Sequence, residues 1–416
     1  MVSGSTTVTK ETTLTFATTS APSQPSPMQP KKSLRWAAST QRARKERPRK
    51  GHSRPTFDSQ TSSHLEYSGS SDDATSPSSD DSPSKFGGSG APYRYGITIH
   101  PALHDSINVQ TRGLFSHFSE AIASHMVVLD SFNNGYRNII LPLACQDNTL
   151  GQAVSVASAF HLGQKDARLQ HLAQVGHQAI LEKLRRDAFE LSPERLFNPY
   201  TLATILVLLV SETVTGADNY VYLLEMLNCL TQFPDWISKL LPNVRDFFLE
   251  QIKMFQLFGV PLANESKAIK LLTGPEAYLN FIAYPELSPQ SEHFNTMQTI
   301  RFAIFNACKI YSRRAESSLS DDESIHLIEQ LRQKVAHIGP TTKGAHALVW
   351  TYFIAASESI LPEHREFFST RLASLYNVTH FGSIPVAVKA LGTIWSMQGM
   401  RRWTEIVSSE MPVLIM

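Results

Sequence analysis

Cysteine is nearly absent from this chain of 416 residues: Cys145, Cys229 and Cys308 are its three. Far apart and odd in number, they build neither a disulfide framework nor a multi-thiolate metal cluster. Their apolar neighbours predict reduced, small core side chains in an intracellular protein. Long hydrophobic runs are missing as well. The longest, TLATILVLLV from 201 to 210, follows Pro199, stops short of Glu212 and falls below the roughly 20 residues that cross a bilayer. It predicts a buried core helix, and no membrane partner is expected. The opening segment, MVSGSTTVTKETTLTFATTS, is polar and threonine-rich and lacks the apolar centre of a secretory leader.

Catalytic templates are the next absence. The sequence has no GxSxG elbow, no glycine-rich phosphate loop ending in Lys-Ser or Lys-Thr, no HExxH and no GxGxxG behind a strand. His161 and Asp166 in HLGQKD have a spacing some acyltransferases use. Gly163 between them marks a helix end, so the pair reads as a C-terminal histidine and a solvent-facing aspartate. His117 and His125, eight apart on one predicted helix, are given no ligand role, because single helix-face histidines are usually satisfied within a fold. No enzyme, cofactor or metal is expected.

What the chain does have is an uneven charge. Its net charge is +1, yet Lys31, Lys32, Arg35, Arg42, Arg44, Lys45, Arg47, Arg49, Lys50 and Arg54 crowd into 31–54 against the single acid Glu46. A local +9 leaves −8 for the remainder. Such a tract on an acidic body points to an anionic partner or an import carrier. Residues 1–30 are poor in aliphatic side chains and are expected to be disordered. The tract belongs to a segment spanning 31–67, and an acidic, serine-rich linker follows over 68–94. There Ser76-Pro77 and Ser82-Pro83 have the composition kinases favour, although a plain solvated linker is the simpler reading.

From 95 to 416 the pattern changes. Apolar residues recur near every 3.6 positions, as at Leu150, Val154 and Ala157, or at Ile325, Ile328, Leu331 and Val335, with no sustained strand alternation. Proline and glycine punctuate at helix-length intervals from Pro142 and Gly163 through Pro261 to Pro362 and Pro385. Together these predict one large all-α domain of about a dozen helices behind a disordered N-terminal region. The aromatic run FFLEQIKMFQLFGV (247–260), with Phe302, Phe305 and Tyr311, is rich enough to line a cavity, although stripes at this spacing mostly fill cores.

Five segments then stand in a telling order. LFSHFSEAIASHMVVLD (114–130) leads through NNGYRNIILPLA (133–144) to LGQAVSVASAFHL (150–162). TLATILVLLVSETVTG (201–216) follows. EHREFFSTRLASL (363–375) and AVKALGTIWSMQGMRRWTEIV (387–407), with Trp395 and Trp403, close the series. This order resembles the fungus-specific regulatory domain of zinc binuclear cluster transcription factors, of the acriflavine-resistance-regulator type. One departure is DNYVYLLEML (218–227), which replaces the Trp and His-Leu positions of that family.

The resemblance implies a nuclear transcriptional regulator, of the kind that often governs a specialised-metabolite gene cluster. It also implies a hydrophobic metabolite as inducer and a homodimer or heterodimer. The family usually carries six cysteines on two zinc ions ahead of this domain. Laid on that spacing, the basic tract puts Ala38, Gln41, Pro48, Phe57, Gln60 and Tyr67 at the ligand positions, none of which supplies a thiolate. The tract is either a relic of the cluster or an unrelated basic arm. The expected partner is then a DNA-binding co-regulator, with DNA itself contacted only non-specifically through phosphates. The dense RARKERPRK run favours nuclear import over DNA contact. A helical scaffold or small-molecule-binding protein without a transcriptional role is the alternative.

Overall fold

The computed structural model describes residues 109–130, 133–411 and 413–416. The basic tract, the acidic linker and the start of the helical region at 95 lie outside the described residues. Among the described residues there are thirteen α-helices of eight residues or more, several shorter helical turns and no strand, which is the all-α fold that the spacing predicts. The first five are α1 (Val109–His117), α2 (Asn148–Leu162), α3 (Ala167–Glu190), α4 (Pro199–Thr215) and α5 (Tyr220–Thr231). The middle of the chain gives α6 (Pro242–Ala263), α7 (Glu265–Leu272) and α8 (Phe294–Ala315). The last five are α9 (Asp321–Val335), α10 (Val349–Glu358), α11 (Pro362–Thr379), α12 (Ser383–Ser396) and α13 (Trp403–Glu410).

Helix starts follow local chemistry. Asp147, Asp166, Asn198 and Asn264 cap α2, α3, α4 and α7, each accepting from a free amide of the first turn. Ser320 and Glu323 form a reciprocal capping box on α9. Pro199, Pro242 and Pro362 open α4, α6 and α11, where the missing amide hydrogen costs nothing. Pro261 departs from its expected role as a boundary and sits inside the last turn of α6. Its carbonyl accepts the Tyr311 hydroxyl at 2.7 Å, so the irregular turn still has a buried partner.

Two helices are buried almost all round. In α4 every residue from Leu202 to Val214 is buried, and in α10 every residue is. α4 packs on α2 and α5, while α10 packs on α8, α11 and α12. Each fully buried Leu, Ile, Val or Phe side chain here contributes about 1.5–3 kcal/mol. The one acidic side chain inside α4, Glu212, has polar neighbours: His177 of α3 stands 3.2 Å away, and the Asn219 amide donates to it at 2.9 Å. α4 ends on Gly216 at φ +71°, and the Gly382 amide donates to the Val214 carbonyl at 2.8 Å. A Cβ on Gly216 would lie 2.9 Å from the Gly382 carbonyl oxygen, so two glycines let the end of α4 touch the start of α12.

Candidate functional site

The NNGYR turn is the first place where sequence becomes geometry. It follows one π-helical turn, Phe118–Ile122, and runs into a second, Tyr136–Ile140, wide turns that often mark functional or strained positions. Asn134 donates to the Ala123 carbonyl at 2.9 Å and to Asp130 at 2.7 Å, and accepts the Tyr136 amide at 3.0 Å. Arg137 pairs with Asp130 at 2.6 Å and donates to the Ser119 carbonyl at 2.9 Å. Tyr136 is fully buried and donates to Gln251 of α6 at 2.8 Å. Gly135 is needed for contact rather than for φ, because a Cβ there would lie 2.2 Å from Phe247 Cδ2. The turn is a structural clamp.

Beside it runs a seam of histidines from distant parts of the chain. His117 at the end of α1 meets His161 of α2 at 2.9 Å, and His161 reaches the Thr379 carbonyl of α11 at 3.0 Å. Phe381 sits edge-on to both His161 and His125, at 5.9 Å between ring centres in each case. His125 faces His346, whose Nε2 bonds the Val127 carbonyl at 2.9 Å. Burial lowers the pKa of His117, opposed by nearby Glu120. Burial also lowers that of His161, which the Thr379 carbonyl opposes and neighbouring histidines reinforce. Burial and then His125 push His346 down to about 4. Burial therefore favours the neutral imidazole at His117, His161 and His346. No group of three or more metal-ligating side chains forms among the described residues.

At the far end, four helices converge on one carboxylate. Glu358, the last residue of α10, is buried. It accepts Arg314 of α8 at 2.5 and 2.9 Å, Ser324 of α9 at 2.5 Å and the Trp403 indole of α13 at 2.7 Å. The bond to Glu358 raises the Arg314 pKa further still, so the guanidinium stays charged beside it. A cleft of ≈ 600 Å³ opens beside it, within the range of small-molecule sites. Trp395, Trp403, Arg314, Arg402, Ser357 and Met400 are among its walls. Trp395 is held by its indole hydrogen bond to the Ala356 carbonyl at 2.8 Å and by Arg365 over its ring.

The structure brings together the tryptophans that closed the sequence motif series. A groove of ≈ 270 Å³ touches the aromatic run at Phe247, Glu250, Gln251 and Met254, without Phe302, Phe305 or Tyr311. Phe247, Phe248, Phe255 and Phe258 are core, while Phe302 is exposed under Lys334. The space beside Phe258 is ≈ 30 Å³, about the share of one water. The run fills the core, as stripes at this spacing mostly do, and Phe302 lies on the outward side of α8. Asp166 is exposed and, in addition, caps α3. His161 is a seam residue as well as a helix end, which sequence spacing alone missed. Arg314 and Glu358 were missed too, because their pairing spans 44 residues. The only signal was an acid ending the apolar stretch VWTYFIAASE.

The three cysteines lie on separate elements of this domain, Cys145 after the turn Leu141–Ala144, Cys229 on α5 and Cys308 on α8. Burial raises each thiol pKa, which disfavours thiolates. This donor set does not fit a binuclear zinc cluster of six thiolates. Among the described residues no helix is long and apolar enough to cross a membrane.

The family described as "Fungal specific transcription factor domain" matches residues 113–257 and 263–416, and the chain belongs to that family. No curated protein and no solved structure matches the chain.

Proposed function

We propose that this chain, a transcriptional regulator by family, works in the nucleus through its helical domain and takes its DNA specificity from a DNA-binding co-regulator. The observation that carries this reading is the conjunction of a family match over 113–257 and 263–416 with a cysteine set that cannot hold the usual zinc cluster. Lys31, Lys32, Arg35, Arg42, Arg44, Lys45, Arg47, Arg49, Lys50 and Arg54 serve as the nuclear import signal, with sequence-indifferent phosphate contact as their secondary capacity. Control of a specialised-metabolite gene cluster is the most natural setting for a member of this family. Regulation, not catalysis, is its role.

Fluorescence anisotropy on promoter and scrambled duplexes across a salt series tests the reading. The expected result for the full chain is weak, salt-labile binding with no sequence preference, lost when residues 1–93 are removed. A preference that survives physiological salt would show that the chain reads DNA itself. Imaging of a chain lacking 31–54 should show loss of nuclear accumulation, and unchanged accumulation would remove the import role.

A further inference from the structure

The walls of the Glu358 cleft have an imbalance in their hydrogen-bonding capacity. Glu358 is saturated by Arg314, Ser324 and Trp403. Gln398 Oε1 is taken by Arg365. The capacity left over is on the donor side. Ser357, 1% exposed, lines the cleft, and its hydroxyl is buried without a partner. Arg402 spends its two terminal nitrogens on Ser317 and Glu265 and leaves Nε buried without a partner. Arg314 bonds Glu358 through Nε and Nη2, and its Nη1 makes no hydrogen bond among the described residues. Among the described residues of the cleft wall, Asp321 is the one acceptor carboxylate not so saturated; it is 81% exposed, turned to water, and 4.0 Å from Arg314. Around these donors stand the indoles of Trp395 and Trp403 and the apolar side chains of Ile360, Ile394 and Met400.

We infer that this cleft binds a small planar carboxylic acid. The carboxylate takes hydrogen bonds from the arginines and from Ser357, and the flat apolar body lies among the tryptophans, Ile394 and Met400. Buried donors without partners are costly, and an anionic acceptor is what satisfies them. The volume of ≈ 600 Å³ suits a ligand of one to three fused rings. The inference goes beyond the transcriptional reading and is independent of it, since binding is a property of the purified chain.

The test titrates benzoate, salicylate, 2-naphthoate and indole-3-acetate into the full chain, each paired with its primary amide. Tryptophan fluorescence and the thermal midpoint are read together. The expected result is saturable binding of at least one acid, with its amide at least about tenfold weaker. Met400→Asp, at a position 76% exposed, puts a like charge at the mouth and should weaken the acid about tenfold without changing the midpoint of the free protein. Ser357→Ala removes a buried hydroxyl that has no partner, so the free protein should be as stable or more so, while acid binding falls several-fold. Three results would overturn the inference: no saturable binding at millimolar acid, equal affinity for acids and amides, or unchanged binding in both variants.

Discussion

His117 Nε2 and His161 Nδ1 stand 2.9 Å apart, and the Thr379 carbonyl on the far side of His161 decides which of them donates. A carbonyl only accepts, so His161 carries its proton on Nε2 and its Nδ1 is bare. His117 must then donate. The contact is satisfied when both rings are neutral, and protonating both would set two imidazolium groups against each other at hydrogen-bond distance.

Acid should therefore loosen the domain. His117, His161 and His346 all have pKa values below the ordinary value of 6.5, His346 at about 4. Well above pH 6.5 neither folded nor unfolded imidazoles bind protons, and the unfolded ones begin to do so as pH approaches that value. As pH falls from 6.5 towards 4 the unfolded chain takes them up first and stability is lost. For His346 alone the loss is about 3 kcal/mol across that window. Guanidinium unfolding midpoints at pH 7.5, 6.5 and 5.5 should fall in that order, and His346→Phe should flatten the slope. A midpoint that stays level would contradict neutral burial of the seam.

Glu358→Gln should destabilise the domain by about 3 kcal/mol, because Arg314 then stays in a half-buried site without its counter-charge. Replacing both Arg314 and Glu358 by methionine should cost less than the single change, since no unpaired charge remains. Denaturant melts of the three chains decide the matter. A double variant worse than Glu358→Gln would mean that the hydrogen bonds to Ser324 and Trp403 outweigh the charge pair.

Gly135→Ala drives a methyl group into the Phe247 ring and should cost about 1–3 kcal/mol. Phe247→Leu, added to it, opens space on that side and should recover part of the loss. Thermal midpoints of the single and double variants measure the coupling. Full additivity would show that Gly135 acts through something other than this contact.

Much of the fold was legible in sequence because its causes are local. Asp147, Asn198 and Ser320 start helices through their own side chains, and the apolar run 201–210 could only be interior. The NNGYR turn was recognisable as a motif, though its purpose, which is to tie Asp130, Ala123 and Gln251 together, appears only in three dimensions. What could not be read is convergence. His117 and His346 belong to one seam although they lie at opposite ends of the domain. Arg314 finds Glu358 only after α8 and α10 have packed. The aromatic run was read as core filling, but spacing shows that Phe302 and Phe258 sit on helices and not that Phe302 turns outward.

Helix α10 offers water no side, with all ten residues from Val349 to Glu358 buried. An ordinary surface helix gives evolution a free edge, with tolerant positions recurring every third or fourth residue. This one gives none. Related genes should drift in the outer faces of α3 and α9 while 349–358 stays nearly fixed. A saturation mutagenesis map of the domain would carry it as an unbroken band, a fossil record of the core written in consecutive letters.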